Sequence, residues 1–309
     1  MLFRSHEDIK NIDKAKFFKP MLAEKYQDRA PTGIAYKTGV VYSQPKLDGM
    51  RCIITADGMW SRLGKPIISA PHIFNALTDV FKAHPDLVLD GELYADRLSD
   101  DFQRLLSLAK KSKPKPADLE ESRKFLQYHM YDFPYHIGPF AERVAALHEF
   151  FHNEVPSLIP EWNWDFFRLV RTEQVHTQER LDELQGEYLE AGMEGQMVRL
   201  SELPYENKRT FQLLKRKEFI DEEFPILGFE EGVGNAAGMV YKVIVQLPNG
   251  KTCKPSLRGN RAFRRDLLRE EQAYIGGEAK VRYFRYTKDG VDRKSTRLNS
   301  SHTDISRMP

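Results

Sequence analysis

The sequence has little cysteine, no long apolar run and almost no net charge. Its 2 cysteines, Cys52 and Cys253, lie too far apart to form a disulfide framework, which points to a reducing compartment and a core held by packing. No stretch approaches the ~18 apolar residues of a membrane span. The opening Met1-Leu2-Phe3-Arg4-Ser5-His6-Glu7-Asp8 turns charged before a signal-peptide core could form, so secretion is disfavoured and the cytoplasm is expected. With 47 Lys+Arg against 45 Asp+Glu the formal charge is +2; that excludes a strongly basic coat but not a basic patch on one face. No repeat of about 20–50 residues is visible. What remains is 309 residues, 41% hydrophobic and 30% charged, enough for one large domain or two unequal ones.

Turn and period signals organise the chain. Apolar and β-branched residues from Val40 to Thr55 predict two strands around Lys46-Leu47-Asp48-Gly49, and Leu87 to Leu93 predicts another that carries Asp90-Gly91-Glu92. Helical spacing predicts a helix between Ser99 and Lys111 with Ser99 as cap. A second is expected from Pro139 to Asn153 with Pro156 beyond its end, and a third after Thr177 that stops near Gly192. The run Lys110-Lys111-Ser112-Lys113-Pro114-Lys115-Pro116 reads as an exposed basic loop. After Lys217 the character changes. Pro225–Phe229, Val240–Leu247, Lys251–Ser256 and Glu278–Tyr286 read as strands, Asn249-Gly250 as a hairpin turn and Asn260–Gln272 as a helix. That is the pattern of a small closed β-barrel with one helix, such as an OB-fold, with a domain boundary near Asp221.

Two constellations could carry chemistry. His148-Glu149-Phe150-Phe151-His152 has zinc-peptidase spacing, two His one helical turn apart with a Glu as base. Phe151 belongs to the apolar stripe, however, and no third ligand follows. Lys46-Leu47-Asp48-Gly49-Met50-Arg51 differs in kind: a lysine nucleophile with Asp48 on the same strand face could share one pocket. Its companions follow in order: Ser61-Arg62-Leu63-Gly64-Lys65, Asp90-Gly91-Glu92-Leu93, Met130-Tyr131-Asp132-Phe133, Glu194-Gly195-Gln196-Met197-Val198-Arg199 and Leu213-Leu214-Lys215-Arg216-Lys217. From about Lys19 to Val291 this ordered set resembles the covalent nucleotidyltransferases, and most closely the small ATP-dependent DNA ligases of phages and viruses.

The resemblance implies an α+β protein: an adenylation (nucleotidyltransferase) domain over residues 1–220 followed by a truncated OB-fold over 221–291. It implies that Lys46 attacks the α-phosphate of ATP and holds AMP as a phosphoramidate, with Asp48, Lys215 and Lys217 completing the catalytic set. Gln44, Arg51, Glu92, Tyr131 and Glu194 would join Lys46, Lys215 and Lys217 around the nucleotide, Tyr131 stacking on the adenine, Gln44 reading its amino group and Arg51 touching the ribose. Asp48, Glu92 and Glu194 suit Mg²⁺ as hard oxygen donors. Arg62 would take the 5′-phosphate of a nick, and Arg258, Arg261 and Arg264 would form a basic face on the barrel.

The implied partner is nicked duplex DNA, held by a monomer between its two domains in the cytoplasm, or in a host's cytoplasm for a phage gene. An RNA ligase, an mRNA-capping guanylyltransferase, an inactive nick-binding module and a zinc peptidase are the alternatives. Residues Asp292 to Pro309 resemble a translated sequencing-library adaptor, and they carry the whole +2 excess. The family's final motif has no counterpart before Val291, so weak self-adenylation is expected.

Overall fold

The structure is a computed structural model that describes residues 17–98, 101–218, 220–257 and 259–283, and the backbone of 297–298. It divides into two compact units, Met1–Arg216 and Lys217–Pro309; the sequence placed the domain boundary a few residues later, near Asp221.

The first unit holds strands β1 (Leu22–Lys25), β2 (Val41–Lys46), β3 (Met50–Thr55), β4 (Gly58–Ser61), β5 (Val88–Tyr94), β6 (Gln127–Asp132), β7 (Phe167–Leu169), β8 (Glu173–Gln174), β9 (Gly195–Leu200) and β10 (Arg209–Lys217), whose last residue opens the second unit. They form two five-stranded sheets, ordered β1-β10-β9-β2-β8 and β4-β3-β5-β6-β7. The chain therefore leaves one sheet at Lys46 and enters the other at Met50, and Leu47-Asp48-Gly49 is the crossing. Each sheet is covered by helices on an apolar face. Cys52, Ile54, Leu89, Leu93, Tyr128 and Met130 are buried with Ile73, Leu77, Val80 and Leu105 in one core. Val41, Val198, Leu200 and Leu214 are buried with Leu181, Leu184 and Tyr188 in the other.

The helices show what local signals decide. Helix α1 (Phe102–Ala109) is capped by Asp101, whose side chain accepts from the Arg104 N–H; the expected cap, Ser99, lies outside the described residues. The basic loop after it ends where Pro116 opens α2 (Pro116–Phe125), since a proline at the first helical position gives up an N–H that had no partner anyway. Helix α3 (Phe140–Glu149) does not stop before Pro156 as its sequence suggested. It widens into a π turn at Phe150–Glu154 and resumes over Val155–Leu158. A proline ring collides with the carbonyl four residues back, and a π turn relocates that carbonyl so that the helix can continue. Helix α4 (Gln178–Glu190) starts with Thr177 accepting from the Arg180 N–H and ends at Gly192, which holds φ +78°.

The second unit holds β11 (Ile220–Glu231), β12 (Val240–Gln246), β13 (Thr252–Cys253), β14 (Ser256–Leu257), α5 (Arg261–Arg269), β15 (Glu278–Tyr283) and β16 (Arg297–Leu298). β11 pairs antiparallel with both β12 and β15, and is longer than expected because Ile220 to Pro225 pair with β15. The expected strand Lys251–Ser256 is split in two around Lys254-Pro255, as a proline cannot donate to a ladder. Gly250 takes φ +79° in the hairpin turn, and the Asn249 side chain accepts from the Lys251 N–H at 3.0 Å. Phe224, Ile226, Val243, Val245, Leu267 and Val281 fill its core. The end of the expected last strand, 284–286, and all of the adaptor-like tail except the backbone of Arg297–Leu298 lie outside the described residues.

Candidate active site

The crossing between the sheets gathers the motif residues of the first unit. On β2, Lys46 pairs in register with Gly195 of β9, and the Glu194 N–H donates to the Lys46 carbonyl at 2.9 Å. That places the Glu194 carboxylate, 1% exposed, in a direct ion pair with the Lys46 ammonium. On the facing sheet, Arg51 of β3 stands opposite Glu92 of β5. Two glycines make this approach possible. A Cβ on Gly49 would lie 2.3 Å from the Leu93 carbonyl oxygen, and one on Gly91 would lie 2.5 Å from that of His129. The glycines of Lys-x-Asp-Gly and Asp-Gly-Glu are thus steric requirements of strands in close contact.

Electrostatics confirm the convergence. Burial pushes the Glu92 carboxyl up to about 7; Lys46 and Arg51 oppose the rise, while Glu194 and Asp90 add to it. Tyr131, raised well above its ordinary value by burial, points its hydroxyl to within 3.5 Å of Glu92. Lys215 of β10 is lowered by burial and then by the nearby charges of Arg209, Lys46, Arg62 and Lys25. So Lys215, Lys46 and Arg62 share a neighbourhood, and Arg62 is exposed on the turn after β4. Lys217 closes β10, two residues along the same strand. Asp48, half-buried, occupies the crossing itself.

Beneath these groups lies a buried ionic layer that sequence reasoning did not assign. Asp132 accepts from Arg143 Nε at 2.7 Å and Nη2 at 3.0 Å, from Arg199 Nη1 at 2.5 Å and from the Phe133 N–H at 2.8 Å. Burial alone would raise the Asp132 carboxyl; Arg199 and Arg143 outweigh it and hold the group below its ordinary value. Arg199 and Asp132 belong to the motifs Glu194–Arg199 and Met130–Phe133, but Arg143 had no signal beyond an arginine in a helix. Asp90 accepts from Arg51 Nε at 2.9 Å, Arg51 Nη2 at 2.5 Å and the Tyr205 hydroxyl at 2.7 Å.

This layer redefines two expected nucleotide contacts. Arg51 spends its guanidinium on Asp90 and on the Met21 carbonyl at 2.6 Å, so a ribose contact would require one of these bonds to open. Gln44 is 1% exposed, and its amide bonds Tyr131, Thr172 and Arg199.

In the second unit Arg258 lies outside the described residues. Arg261 is exposed at the start of α5. Arg264 instead packs inward, donating from Nε to the Val240 carbonyl at 2.6 Å and lying 5.6 Å from the Tyr241 ring centre.

His148 and His152 pack their rings 5.9 Å apart, His152 lies 5.3 Å from Trp164, and Glu149 accepts from Asn153. The π turn starts at Phe150, between the two histidines. Among the described residues no group of three His, Cys, Asp or Glu is arranged to hold a metal ion, here or around Lys46.

The chain is similar in sequence and fold to known DNA ligases. A DNA ligase of Haemophilus influenzae is 27% identical over 195 residues, which are 61% of this chain and 62% of that protein, so the match spans less than two thirds of the relative's length. Among solved structures, a Lig E DNA ligase described as binding DNA with a minimal scaffold has a TM-score of 0.70 at 22% identity, over 91% of this chain and 98% of that one. The ATP-dependent DNA ligase of bacteriophage T7, in complex with ATP, has a TM-score of 0.50 at 17% identity over the same shares. These likenesses carry the α+β fold, a nucleotidyltransferase-type domain followed by a domain of the OB type. Residues 20–217 match the family model of the ATP dependent DNA ligase domain, and since that is well over half of its length, the chain belongs to this family.

Proposed function

We propose that the chain is an ATP-dependent DNA ligase that seals nicks in duplex DNA through a lysyl-AMP intermediate. The observation that carries this reading is the Lys46–Glu194 ion pair at the crossing of two sheets, with Glu92, Tyr131 and Lys215 gathered around it. As a nucleophile Lys46 must first lose a proton, and Glu194 is the carboxylate in contact with it. Nζ then attacks the α-phosphorus of ATP; a P–N bond forms, the P–O bond to pyrophosphate breaks, and pyrophosphate carries away the electron pair. Lys215 and Lys217 neutralise charge that grows on the phosphate oxygens.

In the second step a 5′-phosphate oxygen of the nick displaces Lys46 from the AMP phosphorus. In the third, the 3′-hydroxyl attacks the DNA phosphorus and AMP departs. Arg62, exposed beside Lys215, suits the 5′-phosphate because a guanidinium fork binds two oxygens at once. Arg261, exposed at the start of its helix in the second unit, would add phosphate affinity. Tyr131 offers a flat face for adenine.

The donor set fits Mg²⁺. Burial raises the Glu92 carboxyl and the charge of Glu194 adds to the rise, so a cation beside both would relieve it; Asp48 stands at the same crossing, and Mg²⁺ needs only one or two carboxylates beside phosphate oxygens and water. When bound, the ion would supply positive charge to the triphosphate.

Labelled ATP and a denaturing gel test the reading. Label should appear on the protein, move to the 5′-phosphate of an added nicked duplex, and disappear entirely in Lys46→Ala. Labelling by GTP alone, or undiminished labelling of Lys46→Ala, would overturn it.

A further inference from the structure

The Gln44 amide lies on the same strand face as Lys46, two residues away. Its orientation is fixed by chemistry. Arg199 Nε donates to Gln44 Oε1 at 3.1 Å; a guanidinium has no acceptor, so the atom it meets must be the amide oxygen. The amide nitrogen then faces the Tyr131 carbonyl at 3.0 Å and the Thr172 hydroxyl at 2.8 Å. Thr172 gives its own hydrogen to the Val170 carbonyl at 3.0 Å, so towards Gln44 it can only accept. Arg199 is itself held by Asp132, which Arg143 grips from the other side.

Both amide hydrogens and one oxygen lone pair are therefore spent. The one unspent hydrogen-bonding capacity of Gln44 is the second lone pair of Oε1. A free glutamine could turn its amide over and offer either a donor or an acceptor; this one can offer only an acceptor.

We propose that Arg199 and Thr172 are positioning residues that lock the Gln44 amide as an acceptor, and so select a purine with a 6-amino group over one with a 6-oxo group. This rests on the adenylation reading above and deepens it. Selection follows from what the wrong base leaves unpaired: the guanine carbonyl would face an oxygen, whereas the adenine amino group meets it as a donor. Gln44 is almost wholly enclosed, while its partner Tyr131 is partly exposed, so the base reaches the amide alongside that ring.

The test measures lysyl-nucleotide formation by the full chain with ATP and with GTP, as separate kcat and KM values. Arg199→Gln removes the obligate donor and lets the amide reverse. The ATP:GTP preference in kcat/KM should fall about tenfold or more, chiefly through a gain with GTP. Arg199→Lys, still a donor only, should keep the wild-type ratio. Thr172→Val, which frees one amide hydrogen without touching a charge, should move the ratio the same way by less, and Thr172→Ser should restore it.

A merely structural role would weaken both nucleotides alike. Folded Arg199→Gln and Thr172→Val proteins with the wild-type ratio, or with equal losses for both nucleotides, would overturn the proposal. If Arg199→Gln does not fold, Thr172→Val against Thr172→Ser decides. A wild-type chain that forms no adduct with ATP would overturn the adenylation reading, and this inference with it.

Discussion

The two units spend charge in opposite ways. In the first, Arg143–Asp132–Arg199, Arg51–Asp90 and Lys46–Glu194 sit with carboxylates that are 0–1% exposed. In the second, Arg282–Asp221, Lys242–Glu230 and Arg269–Asp266 all stay in contact with water. Every buried polar or charged side chain among the described residues, from Ser43 to Gln212, belongs to the first unit. Taking charge out of water costs several kcal/mol per ion, and an apolar core of equal volume is often as stable. The second unit, with an apolar core, folds without that expense. The first carries it where Lys46, Glu92, Glu194 and Tyr131 meet, which ties the buried charge to the candidate site.

The largest expected effect sharpens this comparison. Arg143→Met removes one of the two guanidiniums on Asp132 and should destabilise the first unit by about 3–5 kcal/mol, as breaking a buried pair leaves charge uncompensated. All 3 tryptophans, Trp60, Trp162 and Trp164, lie in that unit, so denaturant unfolding followed by tryptophan fluorescence reads it selectively. A loss under about 1 kcal/mol, the size typical of an exposed pair, would erase the distinction between the units.

Arg143 also marks where the sequence stopped being readable. Strand pairs around Lys46 and Glu92 were legible because alternation and turn residues are local signals. The convergence of Lys46, Glu92 and Glu194 was legible because each rides a short stretch whose glycine or carboxylate has a local steric or chemical reason, as Gly49 and Gly91 show against Leu93 and His129. Arg143 reaches Asp132 from a separate helix, and nothing within a few residues of it announces that contact. The same limit hid Thr172, and it hid the inward turn of Arg264 onto Val240. In α3 the local rule itself misled: Pro156 promised an end to the helix, and a π turn absorbed it.

A second, smaller effect comes from protons. Burial lowers His129 on β6 to about 4; Arg168 adds to the shift and Asp96 opposes it. His72 is lowered in the same direction by burial, while its bond to the Leu126 carbonyl opposes. The second unit has no histidine among its described residues. With a folded value near 4 and an unfolded value of about 6.5, the unfolded chain binds more protons throughout that window. Stability is then fully present above pH ~6.5 and drains as pH falls towards 4, by at most about 1.4 kcal/mol per pH unit for one group. Tryptophan-monitored unfolding should show this slope, and His129→Phe should flatten it. An equal slope in far-UV signals that report the second unit would mean that the buried histidines are not its source.

The smallest expected effect lies in the second unit and uses its best exposed pair. Asp221 and Arg282 face each other across β11 and β15 and meet through two bonds of 2.6 Å. Such a fork is the geometry in which a surface pair does most. Water still solvates both side chains, at 31% and 44% exposure, and salt screens what attraction remains. Asp221→Asn should therefore cost about 0.2–1 kcal/mol, read as faster hydrogen exchange of the β11–β15 amides, and the difference from wild type should shrink at 1 M salt. A salt-insensitive loss as large as that of Arg143→Met would show that the second unit also depends on desolvated charge. The placement of buried ions would then say nothing about where the chemistry is.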